Sequence, residues 1–173
     1  MNRTFGYKQI PVKTWFLTFE GALPDISSFD DTIQLKQWET PDADDYLKLY
    51  TEVGGIWGWT GRLLKKRDEL ESILKSTNNE VWLFIIKNEI AGFFELVRSE
   101  TETEIVYLGL KPGWIGNGYG QKLIRSAIAK AGQNGETVWL HTCERDHVSA
   151  LVVYQKVGFK IKEERISMEY YPE

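Results

Sequence analysis

A glycine-rich loop between a predicted strand and a predicted helix is the part of the sequence best suited to chemistry. Residues 104–131 read EIVYLGLKPGWIGNGYGQKLIRSAIAKA, with glycines at 116, 118 and 120 just before an amphipathic stretch. Glycines allow the backbone to turn tightly and bring its N–H groups close to a ligand. A helix N-terminus adds unpaired N–H donors and the positive end of the helix dipole. The loop is therefore predicted to bind an anion, and a phosphate or pyrophosphate fits best.

The spacing of these glycines excludes two common phosphate-binding loops. A Walker loop requires a Lys followed by Ser or Thr after its last glycine, and that pair does not occur here. A dinucleotide-binding fingerprint requires GxGxxG, whereas Gln121 occupies the place of the third glycine after Gly116 and Gly118. What remains is a GxGxG loop whose backbone donors do most of the binding, or a glycine-rich turn without a ligand.

A second segment with chemical potential follows at residues 147–159, which read HVSALVVYQKVGF. Ala150 and Tyr154 are four residues apart, so a helix places them on one face. A small residue lets a ligand approach that face, and a phenol, neutral at pH 7, can donate a proton. A core tyrosine on an apolar helix is the alternative interpretation of this segment.

The pattern of apolar and polar residues predicts the elements that position these segments. Strands are predicted at 14–20, 33–39, 81–87, 90–98, 104–110, 138–142 and 160–170, the last as one strand or two, and helices from Thr40 to Gly54-Gly55 and at 64–75, 118–133 and 148–157. Thr40 is expected to cap the first helix, with Pro41 at its first position. The order is ββααββ followed by βαβαβ(β). It indicates a mixed α/β (α+β) domain with antiparallel pairs in front and at least one parallel pair behind.

Together the two motifs resemble those of the GNAT acetyltransferase superfamily. Its pyrophosphate loop is commonly (Q/R)xxGxG/A, and here Ile115 stands where Arg or Gln is usual. Its next helix carries a pattern similar to NxxAxxLYxxxGF, and here His147 stands where Asn is usual. The resemblance implies a single GNAT domain over residues 1–173, with its cofactor core at about 104–162. It also implies a central mixed, mostly antiparallel sheet flanked by helices.

The resemblance implies an N-acetyltransferase that uses acetyl-CoA as co-substrate and acts on a primary amine by direct attack. Tyr154 would then protonate the departing thiolate, and the backbone of Leu108 and Leu110 would pair with the pantetheine arm. The residues that the resemblance assigns to the cofactor are Leu108, Gly109, Leu110, Ile115, Gly116, Asn117, Gly118, Tyr119, Gly120, Gln121, His147 and Ala150. The alternatives are a non-catalytic acyl-CoA-binding or sensor domain of the same fold and an unrelated nucleotide-binding protein.

An amine must lose a proton before attack, and the candidate bases are Glu104, Glu95, His141 and His147. Glu104 leads a strand, EIVYLGL, that is similar to the strand of histone-acetyltransferase relatives whose leading Glu is the general base. Strand alternation predicts that Glu104 shares a face with Leu108. Glu95 lies among apolar residues in AGFFELV, where a charge needs either a cleft or a partner. In a cleft, Glu95 could contact a cationic substrate or relay a proton through water. A solvated acid for Glu104 and a satisfied core histidine for His141 remain alternatives.

The acceptor is less constrained than the cofactor. Trp57 and Trp59 lie between the first two helices, a segment that forms a wall of the acceptor site in the family. They are predicted to contact an amine or cation, with simple packing as the alternative. A small-molecule or peptide amine is expected: an N-terminal amine, a lysine, a polyamine or an aminoglycoside.

Composition limits the other partners. The net charge is −4 with both signs interspersed, so no nucleic-acid partner is expected. The single cysteine, Cys143, excludes an internal disulfide, and no metal-ligand spacing occurs. The first residues lack the apolar core of a signal peptide, and the longest apolar run, 81–86, is too short to span a bilayer. A cytoplasmic protein without membrane contact is expected, and a homodimer through an exposed terminal strand is one option.

Overall fold

The computed structural model describes residues 6–173, in which four α-helices flank one seven-stranded sheet. The first five residues of the N-terminal stretch, where no signal peptide is expected, lie outside this range. The strands are β1 (Tyr7–Phe19), β2 (Ile33–Gln37), β3 (Asn79–Ile86), β4 (Glu89–Arg98), β5 (Glu102–Leu110), β6 (Thr137–Cys143) and β7 (Phe159–Pro172). The helices are α1 (Ala43–Gly54), α2 (Arg67–Lys75), α3 (Tyr119–Ala131) and α4 (Ala150–Val157). The predicted order of elements is confirmed.

The strand order is β2-β3-β4-β5-β6-β1-β7. Only β5 and β6 pair in parallel among the described strands, and every other neighbouring pair is antiparallel. A parallel pair needs a crossover connection, and α3 supplies it between β5 and β6. The predicted mixed, mostly antiparallel sheet is confirmed.

Strand β1 is longer than predicted and lies inside the sheet. Its residues 14–18 pair with both β6 and β7, whereas residues 7–13 pair with β7 alone. Pro11, which has no backbone N–H to donate, falls in the half of β1 that has a partner on one side only. Pro11, together with the polar residues Lys8, Gln9 and Lys13, interrupts the alternation in this half of β1, and this is why the sequence pattern indicated a strand only from residue 14.

The start of α1 differs from the prediction. Asp42, rather than Thr40, caps the helix: its carboxylate accepts hydrogen bonds from the backbone N–H groups of Asp44 (2.9 Å) and Asp45 (3.2 Å). An aspartate at this position satisfies helix donors that would otherwise be unpaired. The predicted Thr40 cap with Pro41 at the first helical position is therefore wrong by two residues.

Two apolar clusters lie on opposite faces of the sheet. The cluster beneath α3 contains the apolar face predicted for that helix, whose members Leu123, Ile124, Ala127, Ile128 and Ala131 are all buried. The cluster beneath α1 and α2 is built around Tyr46, Tyr50 and Phe93. Within residues 6–173, no helix is both long and apolar enough to span a membrane. Strand β7 forms one outer edge of the sheet, and its pairing in a homodimer stays a prediction.

Candidate active site

A gap opens between β5 and β6 in the middle of the sheet. The parallel pairing runs from Glu102 opposite Thr137 to Ile105 opposite Leu140 and then stops. At that point β5 has a bulge, because Ile105 and Tyr107 face successive residues of β4 and Val106 is the extra residue. Bulges bend a strand and increase its twist. Beyond these pairs the ends of β5 and β6 are therefore separated.

The bulge also reverses one predicted side-chain direction. Ile105 and Leu108 are three residues apart, yet both pack into the cluster beneath α3. Glu104 therefore faces the other side of the sheet, where its carboxylate contacts His141. The prediction that Glu104 and Leu108 share a face is wrong, because strict alternation fails wherever a residue is inserted into a strand.

A cavity of about 620 Å³ passes through the gap. Its α3 side is lined by Leu108, Leu123 and Tyr154, which also pack in the cluster beneath that helix. Its other side is lined by residues that include Trp57 and His141. The cavity therefore connects the two faces of the sheet, so two reactants can meet in it from opposite sides.

The glycine loop forms one wall on the α3 side. Gly116 and Gly118 have φ angles of 90° and 82°, which other residues rarely adopt, and Gly118 is the N-cap of α3. No side chain caps this helix, so its first N–H groups are free to bind a ligand. Space is open around the Cβ positions of Gly116, Gly118 and Gly120. The loop therefore presents unpaired backbone N–H groups to the cavity, as an anion-binding loop would require.

Ten of the twelve residues predicted to bind the cofactor line this cavity. They are Leu108, Gly109, Leu110, Ile115, Gly116, Gly118, Gly120, Gln121, His147 and Ala150. Asn117 and Tyr119 do not line it, and Tyr119 instead packs edge-on against Trp114, with ring centroids 5.8 Å apart. Successive residues of a turn or a helix point in different directions, so only part of this segment faces the cavity.

Tyr154 lies on α4 and lines the cavity on the same side as the glycine loop. Its ring packs against Phe159, with centroids 6.1 Å apart, at the edge of the core. Burial, assisted by the negative charge of Asp146, raises the pKa of the Tyr154 phenol well above its usual value. The phenol therefore holds its proton at neutral pH and can give it to a stronger base.

His147 connects α4 to the loop that carries Trp57. Its Nδ1 accepts a hydrogen bond from the backbone N–H of Ser149 at 3.1 Å, just before α4 begins. Its ring packs edge-on against Trp57, with centroids 5.2 Å apart, and both rings line the cavity. His147 thus lies between α4 and the aromatic wall of the cavity.

Trp59 is both a wall of the cavity and a packed side chain. Its ring lies 5.5 Å from that of Tyr50 and 5.2 Å from that of Tyr107. A Cβ at Gly54 would approach this ring to 2.1 Å, so only glycine lets α1 end against it. Trp59 is therefore packed between aromatic rings and also lines the cavity, whereas the aromatic contact of Trp57 is the edge-on one with His147.

Glu95 is not where the sequence interpretation placed it. Its side chain is 0% exposed and does not line the cavity. One carboxylate oxygen accepts from the Arg62 guanidinium at 2.5 Å, and the other accepts from the Tyr46 hydroxyl at 2.5 Å. Burial lowers the pKa of the Arg62 guanidinium, but the neighbouring Glu95 carboxylate outweighs this effect and raises it above the usual value, so Arg62 stays protonated. The predicted substrate contact or proton relay by Glu95 is therefore not supported, and its partner is a buried cation.

Glu104 and His141 form a second acid–base contact, on the side of the sheet opposite Tyr154. The Nδ1 atom of His141 lies 3.2 Å from a Glu104 carboxylate oxygen. This contact raises the pKa of the His141 imidazole. His141 lines the cavity, whereas Glu104 does not. His141 is not a core histidine, because 41% of its side chain is exposed, and Glu104 is not a free solvated acid, because its carboxylate contacts His141.

Sequence reasoning missed a third wall, which comes from the ends of the chain. Thr14 of β1 and Glu169, Tyr170 and Tyr171 of β7 line the cavity beside Asp146. The Tyr171 hydroxyl lies 3.7 Å from the Cys143 sulfur, which ties β7 to the end of β6. No local pattern marks these residues, because they reach the site only through the insertion of β1 between β6 and β7.

Comparisons with known proteins agree with this architecture. The family model described as "Acetyltransferase (GNAT) family" matches residues 33–159. No curated protein sequence matches the chain significantly. The solved structures that resemble it include a GNAT-family acetyltransferase from Elizabethkingia anophelis with acetyl-CoA bound. It is 24% identical, has a TM-score of 0.57, and the match covers 78% of this chain and 80% of that one.

Two further structures cover more of the fold. One is a putative GNAT-family acetyltransferase from Novosphingobium aromaticivorans, with 18% identity, a TM-score of 0.64 and coverage of 97% of this chain and 68% of that one. The other is an aminoglycoside acetyltransferase from an uncultured soil metagenomic sample, with 18% identity and a TM-score of 0.63. The match covers 83% of this chain and 99% of that one. Likeness at this identity shows the fold, and the family model covers well over half of the sequence. The chain belongs to the GNAT acetyltransferase family.

Proposed function

We propose that this protein transfers an acetyl group from acetyl-CoA to a primary amine by direct attack. The observation that carries the proposal is the cavity that crosses the sheet. Its α3 side has the glycine loop, which would bind an anion, and the protonated phenol of Tyr154. Its opposite side has aromatic rings and a carboxylate. An anionic cofactor and a cationic acceptor suit these two sides.

The α3 side suits coenzyme A. The glycine loop and the free N–H groups of α3 would bind the pyrophosphate, and the absence of an Arg or Gln at Ile115 leaves this to the backbone. The C-terminal end of β5, residues 108–110, borders the gap, and its backbone groups would pair with the pantetheine amides. Ala150 is small enough to let that arm pass.

The chemistry follows from the positions of the groups. The amine nitrogen attacks the thioester carbonyl, the C–N bond forms, and the C–S bond breaks with its electrons on sulfur. Tyr154 gives its proton to the departing thiolate, since its phenol is held neutral by burial. In this proposal the acceptor enters from the opposite face, so the base lies there, and the complete burial of Glu95 argues against that role for it.

The acceptor side suits a cation. Trp57, Trp59 and Tyr107 form aromatic walls, and Glu169 contributes a carboxylate. A cation binds favourably to aromatic faces and to an acid in the same cleft. A small-molecule or peptide amine fits. One structural neighbour is an aminoglycoside acetyltransferase, so an aminoglycoside belongs in the set of acceptors to be tested.

The proposal is tested by measuring thiol release from acetyl-CoA with a panel of amines. The panel contains a peptide with a free N-terminus, an N-terminally blocked lysine peptide, a polyamine and an aminoglycoside. Amine-dependent thiol release, with the acetylated product seen by mass spectrometry, is expected for at least one of them. Acetyl-CoA binding without turnover on any amine would instead support the non-catalytic acyl-CoA-binding alternative.

Two alanine substitutions in the glycine loop separate stability from cofactor binding. Gly118→Ala places a Cβ at a positive φ and is expected to lower the free energy of unfolding by about 1–2 kcal/mol. Gly120→Ala lies in the first turn of α3, without a positive φ, and is expected to raise it by about 0.5–1 kcal/mol. Because Gly120 lines the cavity, its added methyl group should nevertheless weaken acetyl-CoA binding.

Denaturant unfolding and calorimetric titration of acetyl-CoA measure the two effects. A Gly120→Ala protein that is more stable and binds acetyl-CoA as tightly as the wild type would show that the glycine loop is not the cofactor site. A Gly118→Ala protein that binds normally once folded would restrict the role of that glycine to backbone conformation.

A further inference from the structure

His141 occupies a distinctive place in the sheet. It is the first residue of β6 beyond the last parallel pair, Ile105 opposite Leu140, so it lies where the gap begins. Leu140 faces the cluster beneath α3, and strand alternation turns His141 to the other face, the proposed acceptor side. His141 lines the cavity, and 41% of its side chain is exposed.

The two ring nitrogens of His141 have different surroundings. Nδ1 lies 3.2 Å from the Glu104 carboxylate, which favours a proton on that nitrogen. Nε2 is then the ring nitrogen with a free lone pair. The ring stacks on Phe16 of β1, with centroids 5.6 Å apart, so its plane is fixed as well as its tautomer. A histidine held in this way can accept a proton at Nε2.

The charged groups around His141 are mostly acidic. Glu104 of β5, Glu169 of β7 and Asp146, which follows β6, each favour its protonated form. The nearby cation, Arg165 of β7, packs on the Phe16 ring at 4.2 Å. Three carboxylates near one imidazole would attract a substrate ammonium group and stabilise the imidazolium that forms when His141 takes its proton.

We propose that His141 is the catalytic base that deprotonates the acceptor amine, and that Glu104 is a positioning residue that holds the imidazole through Nδ1. This inference rests on the proposed acetyltransferase function. It replaces Glu104 as the direct base, because the Glu104 carboxylate does not line the cavity and His141 does.

The proton balance of the step is complete. The acceptor ammonium gives one proton to Nε2 of His141, and the neutral amine attacks the thioester carbonyl. Tyr154 protonates the sulfur as the C–S bond breaks, and the second amine proton returns to the Tyr154 phenolate directly or through solvent. The products are the amide, the free thiol of coenzyme A and one proton on His141, which passes to solvent.

His141→Gln tests the base. Loss of a positioned general base typically costs 10²–10⁴-fold, so we expect kcat/KM to fall by roughly 10²- to 10³-fold at neutral pH. The acidic limb of the pH–rate profile should disappear. The loss in kcat/KM should become smaller above the pKa of the acceptor amine, because the amine is then already neutral. Acetyl-CoA affinity, measured by calorimetry, should be unchanged, which also shows that the variant is folded.

Glu104→Gln tests the positioning role. Glu104 raises the pKa of His141, so its loss should move the acidic limb of the profile to lower pH and reduce the maximal rate. Glu102→Gln, an exposed neighbour on the same strand, is the matched control and should leave both the rate and the profile unchanged.

The inference and the proposed function fail in different ways. Wild-type protein that releases no thiol with any amine would contradict the function itself. Wild-type activity together with a His141→Gln variant within about threefold of it, and with the same acidic limb, would overturn only the assignment of His141.

Discussion

Replacing Tyr154 with Phe is expected to lower kcat by roughly 10²- to 10³-fold while leaving acetyl-CoA affinity unchanged. The substitution removes one oxygen and keeps the ring that packs against Phe159. Without the phenol, coenzyme A must leave as an unprotonated thiolate. The burial that raises the pKa of Tyr154 also disfavours this charged leaving group. The lost interaction exists chiefly in the transition state, so kcat falls and binding does not.

Steady-state thiol release and calorimetric titration of acetyl-CoA measure these two quantities. Tyr7→Phe is the matched control, because Tyr7 lies at the far end of β1 opposite Pro172 and does not line the cavity. It should behave as the wild type. Normal turnover by Tyr154→Phe would remove Tyr154 from the mechanism, and loss of acetyl-CoA binding would assign it to the cofactor site instead.

Separating the buried Arg62–Glu95 pair is expected to have the largest effect on stability. Glu95→Leu leaves the Arg62 guanidinium buried without its counter-charge, and within residues 6–173 the Nε atom of Arg62 already has no hydrogen-bond partner. Removing one partner of a buried ion pair costs roughly 3–5 kcal/mol. For a chain of this size, that corresponds to a fall in Tm of roughly 6–20 °C.

The double variant Arg62→Met with Glu95→Leu distinguishes this explanation from a simple loss of contacts. Apolar replacement of both partners is often close to neutral, so the double variant should be more stable than either single variant. Its free energy of unfolding should still be somewhat below that of the wild type, because the Tyr46 hydroxyl loses its hydrogen-bond acceptor. A double variant as unstable as the sum of the two single variants would contradict the ion-pair explanation.

Arg67→Met is the control for the removal of an arginine. Arg67 pairs with Asp44 and Glu71 on the surface, where solvent screens the interaction. Its Tm should change little. Activity offers a further readout, because Arg62 also packs over the Tyr107 ring at 5.3 Å and Tyr107 lines the cavity. The Arg62 variants are therefore expected to raise KM for the acceptor more than KM for acetyl-CoA.

Local patterns predicted most of the elements of this fold. The apolar face of α3, the hairpin of β3 and β4, and the order of elements all follow from periodicity and turn residues within short windows. The prediction at Thr40 failed by two residues, because Asp42 competes for the same helix donors and its carboxylate reaches them. Cap geometry of this kind depends on which of several adjacent polar residues is in reach.

The acidic candidates show where local patterns stop being informative. Glu95 and Glu104 are both acids in predicted strands, and each is a candidate base by sequence. Their surroundings differ because β4 faces Arg62 and Tyr46, whereas β5 faces His141 across the edge of the gap. Each of these partners is more than thirty residues away along the chain, so no window of sequence contains the pair.

The sequence by itself determined the glycine loop, the helix that carries Ala150 and Tyr154, and the family to which they point. These features depend on spacing between neighbours, and backbone geometry converts such spacing directly into shape. Only the tertiary structure decided that β1 lies between β6 and β7, that the bulge at Val106 turns Glu104 toward His141, and that Glu95 is buried. The register between distant strands sets those outcomes, and a single inserted residue reverses which face of the sheet a side chain occupies.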